Sequence, residues 1–486
     1  MTKLEKARDY EVKNQTDPNR QPAFHLTPPV GWMNDPNGFS VYNGKVHLFY
    51  QYHPYDLRWG PMHWGHQSSA DMIVWDRMPV VLAPDQPYDQ DGCFSGTAIA
   101  TDAGHLLVYT GVTKENGVEV QNQCLAIGDG RVYRKLDRNP VVRGEMMPAG
   151  FSRTDFRDPK IWKEDENWWM VVGSRDEERG QIALFASDNG MDWKYERVLL
   201  AAEDGFGTMW ECPDFFRLDG KSVLICSPQN VEAMDYTFHN GHNGVAFVGE
   251  SDAMNFQGVK AQPLDYGFDF YAPQTTTLPD GRQVLIAWMS SWHSPIVASH
   301  QTWSAQMTLP RELSLRNGKL IQQPVRELET WYKETIRYKQ VPIQEPQSVA
   351  GVEGRYVDFT IRFSKPATSE FTMELAKDER YGTRFTVDPK KGIVELDRTF
   401  SGLKEDVITI RRAKIPAEGI QTIRVVMDLY SIELFINEGE MVMSCVIPTA
   451  ETANQIVFGS EEPIEIDLDF HTIDAPAIRA KREVLA

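Results

Sequence analysis

Three short segments place carboxylates where chemistry could be done. Gly31-Trp-Met-Asn-Asp-Pro-Asn-Gly38 holds Asp35 in a strong β-turn sequence, with proline fixing one dihedral and Asn-Gly tolerating positive φ. Its neighbourhood gives it a second meaning: Trp32 and Asn34 precede it, and Gln51, Trp59, His63, Trp64 and His66 follow within one hairpin. Aromatic faces stack on sugar rings while amides and imidazoles bond hydroxyls, so the mixture suits a carbohydrate pocket. In Phe156-Arg157-Asp158-Pro159 the neighbouring guanidinium would keep Asp158 ionised and able to accept bonds from sugar hydroxyls, although Arg-Asp alone is more often a surface pair. In Trp210-Glu211-Cys212-Pro213-Asp214 the flanking apolar groups predict a raised pKa for Glu211, as a general acid at neutral pH requires; taken alone it reads equally well as a loop glutamate in solvent. Glycosidic cleavage needs two carboxyls, one to protonate the leaving oxygen and one to attack or activate water, and their separation decides retention or inversion. Sequence does not supply that separation.

These acids need elements that bring them together. From about residue 30 to 310 the chain reads as short strands, among them 45–52 (KVHLFYQY), 105–109 (HLLVY), 168–173 (WWMVVG), 181–186 (QIALFA), 222–226 (SVLIC), 244–248 (GVAFV) and 283–288 (QVLIAW), punctuated by Asp129-Gly130, Asp219-Gly220 and Asp280-Gly281. A weak repeat orders them. Ser69-Ala-Asp71 with Trp75, Ile127-Gly-Asp129 with Tyr133, Ala186-Ser-Asp188 with Trp193, and Glu250-Ser-Asp252 with Phe256 set similar turns roughly 60 residues apart, the period of a β-propeller blade. The fold class expected is all-β, a five-bladed β-propeller followed by a C-terminal β-sandwich. Propeller blades present equivalent loops at one end of the axis, so the acids of three blades converge there. Past Pro310, residues 322–336 space Val325, Leu328, Trp331 and Tyr332 as a short linker helix would, and from about Val341 strict alternation without tryptophan fits the sandwich. The expected division is an N-terminal extension 1–24, a catalytic propeller 25–318, a linker 319–340 and a sandwich 341–486.

Bulk properties exclude several classes. Lys+Arg 50 against Asp+Glu 69 gives a net charge of −19 over 486 residues, which argues against nucleic acid as a partner. The start, MTKLEKARDYEVKN, has no apolar export core, and nowhere do about 18 apolar residues run together, so neither export nor membrane insertion is signalled and a cytoplasmic location is expected. Five cysteines, with no CxxC pair, argue against a disulfide framework and a zinc site.

The segments WMNDPNG (32–38), RDP (157–159) and WECPD (210–214), in this order, closely resemble the signatures of glycoside hydrolase family 32, which includes invertases (β-fructofuranosidases), sucrose-6-phosphate hydrolases, inulinases and levanases. Supporting matches are Gln51 with 59–66 (WGPMHWGH), Phe94-Ser95-Gly96, Tyr271-Ala272-Pro273-Gln274 and Ala287-Trp288-Met289. The resemblance implies the same fold, a retaining mechanism, Asp35 as nucleophile, Glu211 as general acid/base and Asp158 as transition-state stabiliser. It implies a fructose subsite walled by Trp32, Asn34, Gln51, Trp59, Phe94, Ser95, Arg157, Tyr271 and Trp288. Cys212 then reads as an electrostatic neighbour. No cofactor or metal is expected, because a carboxylate nucleophile supplies the activation, and His47, His53, His63 and His66 are expected to turn to different faces of their hairpin. The expected partner is a small sugar substrate, with no nucleic acid and no membrane. The sandwich reads as a buttress or as the contact of a homo-oligomer. Three alternatives share part of this pattern: a fructosyltransferase using the same intermediate, an inulinase or levanase acting on longer fructans, and a non-catalytic sugar-binding protein. For a phosphorylated sugar the candidate contacts are His239, His242 and Arg153, and the acidic balance argues against it.

Overall fold

The computed structural model describes every residue except 178, 251–253, 255, 257, 298–300 and 483–486. Over 31–324 the chain forms successive sheets, each opened by a long strand: β1 (Gly31–Tyr42), β2 (Gly92–Thr101), β3 (Phe151–Glu164), β4 (Phe206–Leu218) and β5 (Tyr271–Thr277). Each is followed outward by antiparallel neighbours, as β1 is by strands at 45–53, 63–69 and 76–82. The opening strands touch in a ring, β1 to β2, β2 to β3, β3 to β4, β4 to β5 and β5 back to β1. That closure is the propeller arrangement. Trp303–Ser304 pairs parallel with β1, so a late segment ties itself to the first sheet.

Local sequence explains the hairpins. Asn43-Gly44, Asn116-Gly117, Asp219-Gly220 and Asn317-Gly318 each hold both residues at positive φ, the two-residue turn that matches strand twist. The repeated turns are built alike: Ser69 Oγ accepts from Met72 N at 2.7 Å and Asp71 Oδ1 from Ile73 N at 2.9 Å, while Ser187 Oγ accepts from Gly190 N and Asn189 Oδ1 from Met191 N. The aromatics that follow, Trp75, Tyr133, Trp193 and Phe256, are all buried. In the last repeat Ser251 and Asp252 lie outside the described residues. His47 and His66, expected on different faces, share one and bond ring to ring at 2.9 Å. The register pairs Phe49 with His66, and Phe49 shares the face of His47 two residues away, so the two histidines meet across the strands.

The expected linker helix is a 3-10 turn over Arg326–Trp331. Before it, β6 (Arg311–Arg316) and β7 (Lys319–Pro324) complete the last propeller sheet; after it, β8 (Tyr332–Ile343) becomes an edge strand paired with Ile464–Ile473. Pairing with ready strands on both sides outweighs one turn of apolar spacing, and Pro324 has no amide to donate. The remainder is a six-stranded sheet packed on a five-stranded one around Phe359, Phe385, Phe458 and Phe470. One element had a sequence signal that strand patterns overshadow: a helix, α1 (Lys3–Asn14), capped by Thr2 and Glu5, lies on the strand at 76–82 through Arg8 Nε to Val80 O at 2.8 Å. No helix among the described residues is long and apolar enough to cross a membrane.

Propeller and sandwich meet across a buried polar cluster. His25 bonds Asp428 Oδ2 at 3.0 Å and Glu433 Oε1 at 2.9 Å, and Arg311 bonds the other Glu433 oxygen and reaches Asp265 at 3.2 Å. Burial alone would lower the His25 pKa, but Asp428 and Glu433 outweigh it and push it up to about 9, while both carboxyls are held below their usual range, burial being outweighed chiefly by His25 for Asp428 and by Arg311 and His25 for Glu433. The histidine's contribution is therefore complete below about pH 6.5 and lost as pH rises through about 9, whereas that of the carboxylates is lost on acidification. Denaturant titrations should show stability falling by on the order of 3 kcal/mol between pH 6.5 and 9.5. His25→Gln should be less stable at pH 6.5 by roughly 3 kcal/mol and lack that slope; a variant with the wild-type slope would reject the assignment.

Candidate active site

Each opening strand is bulged at the same level. Register shifts fall between Met33 and Pro36 in β1, Phe94 and Gly96 in β2, Arg157 and Lys160 in β3, Glu211 and Asp214 in β4, and Tyr271 and Gln274 in β5. A bulge re-aims a side chain, here toward the ring axis. Asp158, Cys212 and Ala272 sit at positive φ (67°, 47° and 51°), each just before a proline, a costly conformation held by the surrounding sheets. The result is a cavity of about 330 Å3 lined by Asn34, Asp35, Gln51, Trp59, Phe94, Ser95, Arg157, Asp158 and Glu211 among the expected residues. The volume suits a small sugar.

The three acids share donors. Asp35 accepts Ser95 Oγ at 2.6 Å and Asn34 Nδ2 at 3.1 Å. Asp158 accepts Cys212 N at 3.0 Å, and the Cys212 sulfur lies 3.5 Å from Asp158 and 3.6 Å from Asp35. Glu211 Oε1 is gripped by Arg157 Nε at 2.9 Å and Nη2 at 2.8 Å, and Tyr271 donates its hydroxyl to Oε2 at 2.7 Å. Trp32, Tyr271 and Trp288, expected as walls, stand one layer back. Trp32 Nε1 orients Asn34 at 2.8 Å, and Trp288 is buried against Trp32 and Trp292. Trp59 is 49% exposed at the mouth, edge-on to Phe94, and Gln51 is fixed by its bond to Cys93 O.

Two electrostatic expectations change. Trp210 turns away from the cavity, its indole bonding Phe206 O and its ring stacked on Phe247, so it does not raise the Glu211 pKa. Burial would raise it, but the Arg157 guanidinium and the Tyr271 hydroxyl outweigh burial and hold it below its ordinary value. Arg157, read as the partner of Asp158, spends its bonds on Glu211 and Asp155 instead. Asp158 is consequently pushed up to about 7, by burial first and then by Glu211, and Asp35 is raised by the same two causes. The ionised carboxyls repel one another, so the proton that the cluster binds near neutrality rests first on Asp158. Burial and the surrounding carboxylates keep the Cys212 thiol protonated, which removes it as a nucleophile. Among the described residues no group of three His, Cys, Asp or Glu is arranged to hold a metal ion.

Sequence reasoning missed Glu119, Gln121, Thr154, Asp155, Gln229 and Trp292, which complete the lining together with His242. Gln121 Oε1 accepts Phe156 N at 3.0 Å and lies 3.3 Å from Arg157 Nη1, so it positions the segment that carries two of the site's charges. The signal that marks the site strands is a proline or glycine inside or closing each bulge: Pro36, Gly96, Pro159, Pro213 and Pro273.

Comparison with known proteins bears on the family and the fold. The chain matches the glycosyl hydrolases family 32 N-terminal domain over residues 25–324 and the family 32 C-terminal domain over 327–473. It is 37% identical to a raffinose invertase of Escherichia coli, covering 89% of this chain and 90% of that protein, and 37% identical to a sucrose-6-phosphate hydrolase of Bacillus subtilis, covering 88% and 89%. Among solved structures it superposes on a β-fructofuranosidase of Bombyx mori with a TM-score of 0.85 at 32% identity over 99% of both chains. With both family domains matched and propeller and sandwich in place, the chain belongs to glycoside hydrolase family 32.

Proposed function

We propose that this glycoside hydrolase is a retaining β-fructofuranosidase that removes the terminal β-D-fructofuranosyl residue of sucrose, sucrose 6-phosphate or short fructo-oligosaccharides. The observation that carries this reading is the meeting of Asp35, Asp158 and Glu211, from β1, β3 and β4, in one sugar-sized cavity. Relatives named raffinose invertase and sucrose-6-phosphate hydrolase, and a Bombyx mori β-fructofuranosidase solved with sucrose, support the substrate class.

In this reading Asp35, aimed by Ser95 and Asn34, attacks the anomeric carbon of fructose. The glycosidic bond breaks toward its oxygen, which takes the proton of Glu211. Asp158 and the fructose hydroxyls bond each other; ionised in that role, Asp158 leaves the cavity's proton to Glu211. Tyr271 is built to tolerate either state of Glu211: its hydroxyl lies 2.7 Å from Glu211 Oε2 and 3.1 Å from Ser227 O, so it donates to the carboxylate or turns to Ser227 and accepts from the acid. Water then enters, Glu211 takes its proton, and the hydroxide displaces Asp35. Trp32 and Trp288 act by bracing Asn34 and the cavity floor.

The organisation proposed with it is a catalytic unit and a sandwich acting as buttress or subunit contact, with the boundary moved from 318 to Pro324 because β7 pairs with β6. A cytoplasmic location is part of the same reading, from the sequence as given. Incubation with concentrated sucrose tests it: free glucose and fructose in equal amounts are expected, while glucose accompanied by longer oligosaccharides would make it a transferase and no cleavage would end the reading.

A further inference from the structure

The leaving sugar must bring its oxygen to Glu211, so the residues around Glu211 form the leaving-group half of the cavity. They come from three sheets: Glu119 and Gln121 on the strand Val118–Gly128, Thr154 and Asp155 on β3, Gln229 on the strand Lys221–Val231, with His242 and Trp292 beside them. This half carries carboxylates and amides. Its cations are taken. Arg157 is bound to Glu211 and Asp155, Arg175 Nε to Asp155 at 2.8 Å, and Arg153 to Glu115 at 3.0 Å and to Glu145. His242 Nδ1 bonds His293 at 2.9 Å, and burial pushes its pKa down to about 4, so it is neutral at pH 7. His239, also buried, is lowered to about 3. Among the described residues, Lys114 is a cation placed opposite Glu119 in the strand ladder.

A sugar's hydroxyls are well served by such a wall. Glu119 Oε1 already accepts Gln121 Nε2 at 2.9 Å and keeps its second oxygen, Asp155 is fixed by two arginines, and Gln229 offers both a donor and an acceptor. A phosphate dianion would instead face the Glu119 and Asp155 carboxylates that line this half, with no guanidinium released to meet it. Like charges set together across a contact are strongly disfavoured. We propose that the leaving-group half of this cavity selects a neutral, hydroxyl-bearing sugar against a phosphorylated one, with Glu119 and Asp155 as the discriminating residues. The proposal rests on the fructosidase reading and narrows it.

The test is kcat/KM for sucrose and for sucrose 6-phosphate on the full chain at pH 7 and low salt. Sucrose is expected to be favoured by about tenfold or more, with the ratio narrowing as salt screens the wall. Glu119→Gln is expected to raise the relative kcat/KM of the phosphorylated sugar about threefold or more; an unchanged ratio would remove Glu119 from the proposal. Asp155 is left intact because it also holds Arg157. Equal or better hydrolysis of sucrose 6-phosphate by the wild type would overturn the selectivity, and loss of that preference in Lys114→Gln would place the phosphate on Lys114. Cleavage of neither sugar would instead overturn the fructosidase reading, and this proposal with it.

Discussion

Asp35→Ala should lower kcat for sucrose by at least about 10⁴-fold while leaving the melting temperature within a few degrees of wild type. The rate loss is large because no other group in the cavity takes over the attack: Asp158 is occupied with Cys212 N, Glu211 with Arg157 and Tyr271, and the Cys212 thiol stays protonated. The structural cost is small because the carboxylate's partners, Ser95 Oγ, Asn34 Nδ2 and Cys212 Sγ, already face an open cavity where water replaces it. Azide added to the variant should occupy the emptied position and attack the anomeric carbon from the same face, giving an α-fructosyl azide in a single displacement. Substantial residual sucrose cleavage by a clean Asp35→Ala preparation would move the nucleophile elsewhere.

The second large effect belongs to Glu211 and depends on the leaving group. Glu211→Ala should cost roughly 10²–10⁴ in kcat for sucrose, whose glucosyl oxygen needs a proton, yet leave the first step on β-fructosyl fluoride nearly intact, since fluoride departs without one. With fluoride the second step becomes limiting, because the base that activates water is gone, so a burst followed by slow turnover is the expected time course. The wild type should lose kcat/KM for sucrose on the alkaline side as the carboxyl cluster loses its proton, with an apparent value near 7, a titration that belongs to Asp158 and Glu211 together. The variant's first step on fluoride should lack that limb. Equal losses on sucrose and fluoride would assign Glu211 a positioning role only.

The acids were legible in the sequence because each lies in a rigid, proline-bearing segment where a functional group and its backbone constraint are adjacent. Their partnerships were not legible. Arg157 sits beside Asp158 in the chain, but the β3 bulge turns the two side chains to different neighbours, and the guanidinium closes on Glu211, 54 positions away. Trp210 and Cys212 flank Glu211 in sequence, yet one points into the packing between sheets and the other at the aspartates. Chain adjacency is a poor guide to electrostatics wherever a bulge breaks the two-residue alternation. The fold followed from turn chemistry and the aromatic that closes each repeat, because those signals are local. The segment after Pro310 misled for the complementary reason: apolar spacing from Val325 to Trp331 looks helical alone, while the strand that claims its far flank, Ile464–Ile473, lies far off in sequence. Glu119, Gln121 and Gln229 carried no signal, being single polar residues in ordinary strands.

The central claim is that catalysis passes through a fructosyl group carried covalently on Asp35. The most direct test is to mix Glu211→Ala with β-fructosyl fluoride, quench in acid during the burst, digest, and weigh the peptides. One fructosyl unit on the peptide containing Trp32 to Gly38, absent when Asp35 is also replaced, is the predicted result. A label on the Asp158 peptide, or no label together with product of inverted configuration, would contradict it.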